Sequence, residues 1–291
     1  MDERDCNGQR PDIPKGGTGW HGGDMVKRII AVMLIACAAS ASAVSLRDLV
    51  ARISAAAPGA AALGGAVDLD GSAEYFTDNS ATLLNGATSL TFTAWAMPRL
   101  ADPSYDAVLM FRNDASTRWG ITGSGVFTLP ANRWFFNWLG TGLLSATNEY
   151  RLNQWTFLVA TYEVGVSAKL YCNGVCYTNA VTTNGIVQSA SVRIGFDTAA
   201  ADRKWNGQLD DVGIFKNRAL TSNDVAELFN NGVGKPLNSL STGTNGLVRY
   251  WKLDDGLSNS SATQALDTVS GTYATGTAIG AGDWTNGIVP Q

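Results

Sequence analysis

Apolar and polar residues alternate with a period of two along much of the chain, which is the signature of strands with one buried face. Leu90, Phe92 and Ala94 share one face of the clearest such segment, with Thr91, Thr93 and Trp95 on the other. Trp155–Tyr162, Val166–Tyr171, Ser191–Phe196 and Gln208–Phe215 read as further strands. Asn173 and Gly174, between apolar and aromatic flanks, form a hairpin signal because both residues tolerate positive φ. Helical spacing is rare. Val225, Leu228 and Phe229 make one apolar stripe, with Thr221 as N-cap, Asp224 three residues on and Gly232 as the stop. Many short strands with Gly-rich turns and one short edge helix predict an all-β, two-sheet antiparallel sandwich.

The first 65 residues follow other rules. Val26-Lys27-Arg28 is basic, Ile29–Ala39 is a continuous apolar run and Ala41-Ser42-Ala43 is a small-x-small cleavage signal. Residues 25–43 therefore read as a secretory signal peptide cut after Ala43, with residues 1–24 as a non-native or wrongly assigned start ahead of Met25. The run is short for a transmembrane helix. Leu34-Ile35-Ala36-Cys37 also resembles a lipobox, in which Cys37 would carry a lipid anchor. Both readings take the mature domain out of the cytoplasm. Residues 44–65 hold a short amphipathic helix (Leu46, Leu49, Val50, Ile53) and an Ala/Gly/Pro linker, and the β domain is expected from Ala66 to residue 235.

Composition narrows the chemistry. Hydrophobic residues at 45% and charged ones at 16% suit a packed globular domain. The net charge is −4, and no Lys/Arg cluster exists in the sequence to neutralise a phosphate backbone, so nucleic acid is not an expected partner. The one histidine, His21, lies in the leader. A mature chain without histidine runs no Ser-His-Asp or Cys-His mechanism and builds no His-containing zinc site.

Six short segments, in order across residues 66–232, resemble the laminin-G-like, concanavalin-A-like jelly-roll family. They are Leu69-Asp70-Gly71 with Glu74-Tyr75-Phe76; the Leu90–Trp95 strand; Gln154-Trp155 with Ala160-Thr161-Tyr162; Leu170–Gly174; Ile194-Gly195 with Trp205–Val212; and Asn217–Thr221. The resemblance implies a jelly roll with an extracellular recognition role. One departure stands out. The family's strand that normally precedes the opening turn is missing there, and a similar text, Leu247–Asp255, occurs in the tail, residues 236–291. Either that tail strand folds back into the vacant slot, as a circular permutation, or it begins a truncated second copy. The second case would leave Trp251 and Leu253 without a core.

A glycoside hydrolase of this fold needs two carboxylates flanking the scissile bond; Glu149 and Glu163 are isolated, and Asp210 and Asp211, being adjacent on a strand, should point to opposite faces. Calcium wants several oxygens, and Asp70, Asp197 and Asp210 are the candidate ligands; the alternative is that Asp70 caps a turn and Asp210 pairs with backbone amides. Cys172 and Cys176 flank the Asn-Gly turn and form a disulfide if the loop has three residues, whereas a two-residue turn puts them on opposite faces. Trp134, Phe136 and Trp138 alternate onto one face near Trp95 and Trp119: either a platform for stacking sugars, with Trp134, Trp138 and Trp95 as ligand contacts, or part of the core.

The expectation is a secreted, non-enzymatic module that binds a glycan or an extracellular protein. A structural or adhesive surface protein without a small ligand is the first alternative, and a glycoside hydrolase the second.

Overall fold

Among the described residues the alternating segments become sixteen strands in two antiparallel sheets. The computed structural model describes residues 63–100, 106–114, 117–123, 133–139, 142–147, 149–180, 184–258 and 263–290. The signal peptide, Cys37, His21 and the amphipathic segment at 45–57 lie outside the described residues. Among the described residues no helix is long and apolar enough to cross a membrane.

The strands are β1 (Leu63–Asp70), β2 (Tyr75–Asp78), β3 (Ser89–Pro98), β4 (Asp106–Arg112), β5 (Arg118–Gly123), β6 (Arg133–Trp138), β7 (Gly142–Thr147) and β8 (Thr156–Glu163). They continue as β9 (Ser167–Cys172), β10 (Val175–Ala180), β11 (Val192–Ile194), β12 (Asn206–Lys216), β13 (Leu247–Trp251), β14 (Gln264–Leu266), β15 (Tyr273–Thr277) and β16 (Trp284–Pro290). Among the described residues the α-helices are α1 (Ser222–Phe229) and the single turn α2 (Asp255–Ser258). The first sheet runs β10-β9-β8-β3-β12-β1-β16, with β13 also paired to β12; the second runs β14-β15-β2-β11-β4-β5-β6-β7.

The two inner faces close on one core. Leu90, Phe92, Ala94 and Ala96 of β3 meet Phe111, Trp119, Ile121 and Phe136 of the second sheet there, with Phe92 edge-on to both Phe111 and Phe136. The outer face of the first sheet is also buried. Trp95, Phe157, Tyr171 and Phe215 pack beneath Leu220, Val225 and Leu228 of the α1 region. Buried Thr91 tolerates this place because its Oγ1 donates to the Arg218 carbonyl at 2.9 Å and accepts the Leu220 N–H at 3.0 Å. Thr221 caps α1 in a reciprocal box with Asp224. The helix ends earlier than expected, at left-handed Asn230, and Gly232 falls in the following 3₁₀ turn.

The tail contributes to both sheets. β13 lies antiparallel to β12 with Val212 opposite Trp251. β16 pairs with β1 at the sheet edge. The β14–β15 hairpin extends the second sheet beyond β2. Trp251 and Leu253 are fully buried in the main core, and Arg249 of β13 ion-pairs with Asp78 of β2 at 2.6 Å. The tail thus supplies four strands where the sequence pointed to one.

The cysteine pairing expected at the Asn-Gly turn is corrected. Asn173 and Gly174 both hold positive φ, 51° and 81°, and Cys172 stands opposite Val175, so the loop has two residues. Cys176 then faces Tyr171, on the side opposite Cys172. Cys172 is a free thiol sealed in the main core. Burial, with the nearby charge of Glu149, raises its ionisation well above the ordinary thiol range. In native protein at pH 8, iodoacetamide is therefore expected to leave Cys172 unmodified until denaturant is added; peptide mass spectrometry showing alkylation without denaturant would contradict this placement.

Candidate functional site

The tryptophan platform is likewise corrected. Trp134, Trp138 and Trp95 are only 0, 8 and 1% exposed. Trp134 stacks on Trp205 with centroids 5.7 Å apart and donates its indole N–H to the Glu149 carbonyl at 3.0 Å. Trp138 packs on Phe136 and Tyr162. Trp95 lies under the helix, against Phe157 and Phe229. Alternation placed Trp134 and Trp138 on a common face, and that face turned inward.

The three candidate calcium ligands do not meet. Asp70 is exposed and caps its own turn, accepting the Ser72 and Ala73 N–H groups at 2.7 and 3.3 Å. The Ser72 hydroxyl, working against slight burial, holds its carboxyl below the ordinary range. Asp197 is buried and clamped by Arg112, Nε and Nη2 each at 2.6 Å, with Arg203 Nη1 at 3.1 Å. Burial raises its carboxyl, but Arg112, the Ala199 N–H and Arg203 outweigh that and lower it. Asp210 accepts the Ile288 and Val289 N–H groups at 2.7 and 3.2 Å. Among the described residues no three His, Cys, Asp or Glu side chains stand where they could share a metal ion.

Asp210 and Asp211 do not part to opposite faces. From Asp210 to Gly213 the chain advances three residues while β3 advances two, from Trp95 to Thr93. This is a β-bulge, with Asp211 at φ 47°. Leu209 and Val212 both reach the core, and the two carboxyls between them hydrogen-bond to each other. Tyr250 donates its hydroxyl to Asp211, and Asp254 accepts the Gly65 N–H close by. With Asp210 and Asp211 buried under the tail strands, no glycosidic bond can reach them.

The outer face of the second sheet carries a different group. Arg193 of β11 stands opposite Thr77 of β2 and Met110 of β4, so all three share that face. Ile194-Gly195 then turns the chain: Gly195 has φ 85°, and a Cβ there would lie 2.5 Å from Leu69 Cδ1. The turn delivers half-buried Phe196 beside half-buried Tyr75, centroids 4.8 Å apart. Arg193 lies over both rings, at 5.4 and 6.0 Å, and donates to Thr77 Oγ1 at 2.7 Å. Lys204 sits 5.0 Å from the centre of the Phe196 ring. A cavity of about 80 Å³ opens beside them, between Arg112, Ser191, Arg193, Phe196 and Thr198. Farther along the same sheet the side chains stay polar: Arg118 donates to Asn137, Asn137 to Thr122, and Arg133 to Ser145.

Sequence reading missed this group. The faint signal was Arg193 between Val192 and Ile194, an outward position on a short strand. Nothing in the sequence linked it to Tyr75, more than a hundred residues earlier.

Two stacked antiparallel sheets with a polar outer shelf define a jelly-roll sandwich of the lectin-like kind. The chain belongs to the concanavalin A-like lectin/glucanases superfamily: the Laminin_G_3 profile matches residues 70–226. No curated protein sequence matches it. Among solved structures, a candidate carbohydrate-binding protein from Bacteroides ovatus is similar at 15% identity and TM-score 0.57, covering 79% of this chain. The match spans about three fifths, 61%, of that protein. A SAP-like pentraxin from Limulus polyphemus gives 15% identity and TM-score 0.46, over 57% of this chain and 82% of that one. Domain 4 of the arabinanase AbnA from Geobacillus stearothermophilus, solved with arabinotriose, gives 16% and 0.45, over 56% and 75%.

Proposed function

We propose that this chain is a secreted, non-enzymatic binding module that recognises carbohydrate outside the cell through the outer face of its second sheet. The observation that carries this reading is the Tyr75–Phe196 ring pair, half-exposed beside a small polar cavity and flanked by Arg193 and Lys204. Aromatic faces take the apolar side of a sugar ring, while cations and hydroxyls fix its oxygens. Family membership and the Bacteroides ovatus likeness are in keeping with it, although fold by itself does not fix function. Secretion rests on the leader sequence.

A glycan array probed with the mature chain tests the proposal, run with and without calcium. At least one class of saccharide should bind, and Tyr75→Ala with Phe196→Ala should lower its affinity by about tenfold or more, the ~1–3 kcal/mol expected of ring stacking. Binding that survives the double variant would move the site elsewhere. Loss of binding on chelation would restore calcium, whose proposed ligands would then start from the exposed carboxylate of Asp70.

A further inference from the structure

We infer that the saccharide taken by this face is anionic, bearing a carboxylate or sulfate that sits against Arg193 and Lys204. The inference rests on the carbohydrate reading above and names its ligand class. The protein as a whole is negative, at −4, yet four cations, Arg112, Arg193, Arg203 and Lys204, gather around Phe196 and the neighbouring cavity. Asp197 is shared by Arg112 and Arg203 and neutralises one of those charges. Asp202, exposed beside Arg203, offsets at most one more. The face keeps a positive excess on a negative protein.

Arg193 and Lys204 are distinct from the other two. Arg193 donates to a neutral hydroxyl, Thr77 Oγ1, and Lys204 donates to a neutral carbonyl, that of Ala201. Among the described residues neither is in an ion pair with a carboxylate. Both are held against the Phe196 ring, at 6.0 and 5.0 Å. A ring floor with two such cations suits a pyranose whose apolar face lies on the aromatic pair and whose charged substituent reaches the guanidinium and ammonium. The cavity, about 80 Å³, opens directly beside Arg193 and Phe196, where a charged substituent of a sugar on the ring pair could enter it.

The test is isothermal titration of the mature chain with three oligosaccharides: an oligogalacturonide, its methyl-esterified neutral counterpart and a heparin-derived sulfated oligosaccharide. One or both anionic ligands should bind, at least about tenfold tighter than the neutral one, and should weaken as ionic strength rises from about 0.05 to about 0.3 M. Arg193→Gln and Lys204→Gln, separately and together, should lower that affinity, with Arg193→Lys retaining more than Arg193→Gln. Lys204 is on a surface loop, so its variant keeps the test valid if Arg193→Gln fails to fold. Equal binding of the neutral and charged ligands, or anion binding unchanged in the double variant, overturns the inference while the carbohydrate reading stands. Failure of every saccharide, charged or neutral, here and on the array, overturns both.

Discussion

Removal of residues 246–291 is expected to abolish cooperative folding of the whole sandwich, including strands far from the cut. The tail supplies β13 and β16 to one sheet and β14 and β15 to the other. Without it, β12 loses β13 along Val212–Phe215, β1 becomes a bare edge and β2 loses β15. The main core loses Trp251 and Leu253, and the outer core loses Tyr250 and Val289. Each large apolar side chain stabilises by roughly 1.5–3 kcal/mol when buried, and a domain has only ~5–15 kcal/mol in total. Trp251→Ala alone should cost about 3–5 kcal/mol. Circular dichroism melts of the truncated and full-length mature chains check this, and a truncated chain melting at the full-length temperature would contradict it. Unfolding is also what we propose for a permuted domain, in which the tail occupies the slot of the family's missing first strand. A truncated second copy would leave residues 66–235 folding alone.

The second large effect is a fall in stability as pH rises from about 4 to about 7. Burial pushes the Asp210 carboxyl up to about 7, against the pull of the Ile288 and Val289 amides. Asp211 is raised by burial and then by the Asp210 charge. Neither forms an ion pair among the described residues, so two carboxyls in contact, 1 and 4% exposed, favour sharing a proton. The unfolded chain releases these protons near 3.8, so between that value and about 7 the native state binds more protons. Stability is then fullest below the unfolded value and declines as pH rises. For Asp210 alone a rise from 3.8 to about 7 is worth roughly 4 kcal/mol at most. Asp197, Asp70 and Asp224 shift downward and act in the opposite sense, contributing stability above their unfolded values and losing it in stronger acid. The optimum should fall between these regimes, near pH 4–5.

Asp210→Asn is the sharper test. An amide oxygen can still accept from the β16 backbone, while the charge is gone. The variant should be more stable than the parent at pH 8, by about 1–3 kcal/mol, and close to it at pH 4.5. Urea titrations at the two pH values measure this, and an equal decline with pH in both proteins would remove Asp210 as the cause.

Much of the architecture was legible in the residues. The period-two segments became β3, β8, β9, β11 and β12, the Asn-Gly pair became a two-residue turn, and Thr221 with Asp224 capped α1. These features are local, and their physics acts within a few residues. The candidate site was not legible: Tyr75, the Arg193–Phe196 stretch and Lys204 come from three separate segments and meet only through the pairing of β2 with β11 and a chain reversal.

The amino-acid sequence by itself determined that this is an antiparallel sandwich, where its strands alternate, and that Leu247–Trp251 is strand-like. Only the tertiary structure decided which faces are wet. Alternation says that Trp134 and Trp138 share a side, but which side is covered depends on the opposing sheet. Alternation also cannot announce its own interruption. One extra residue in β12 put Asp210 and Asp211 together under the tail, because a bulge shifts the phase of a strand without leaving a mark in the period of its neighbours.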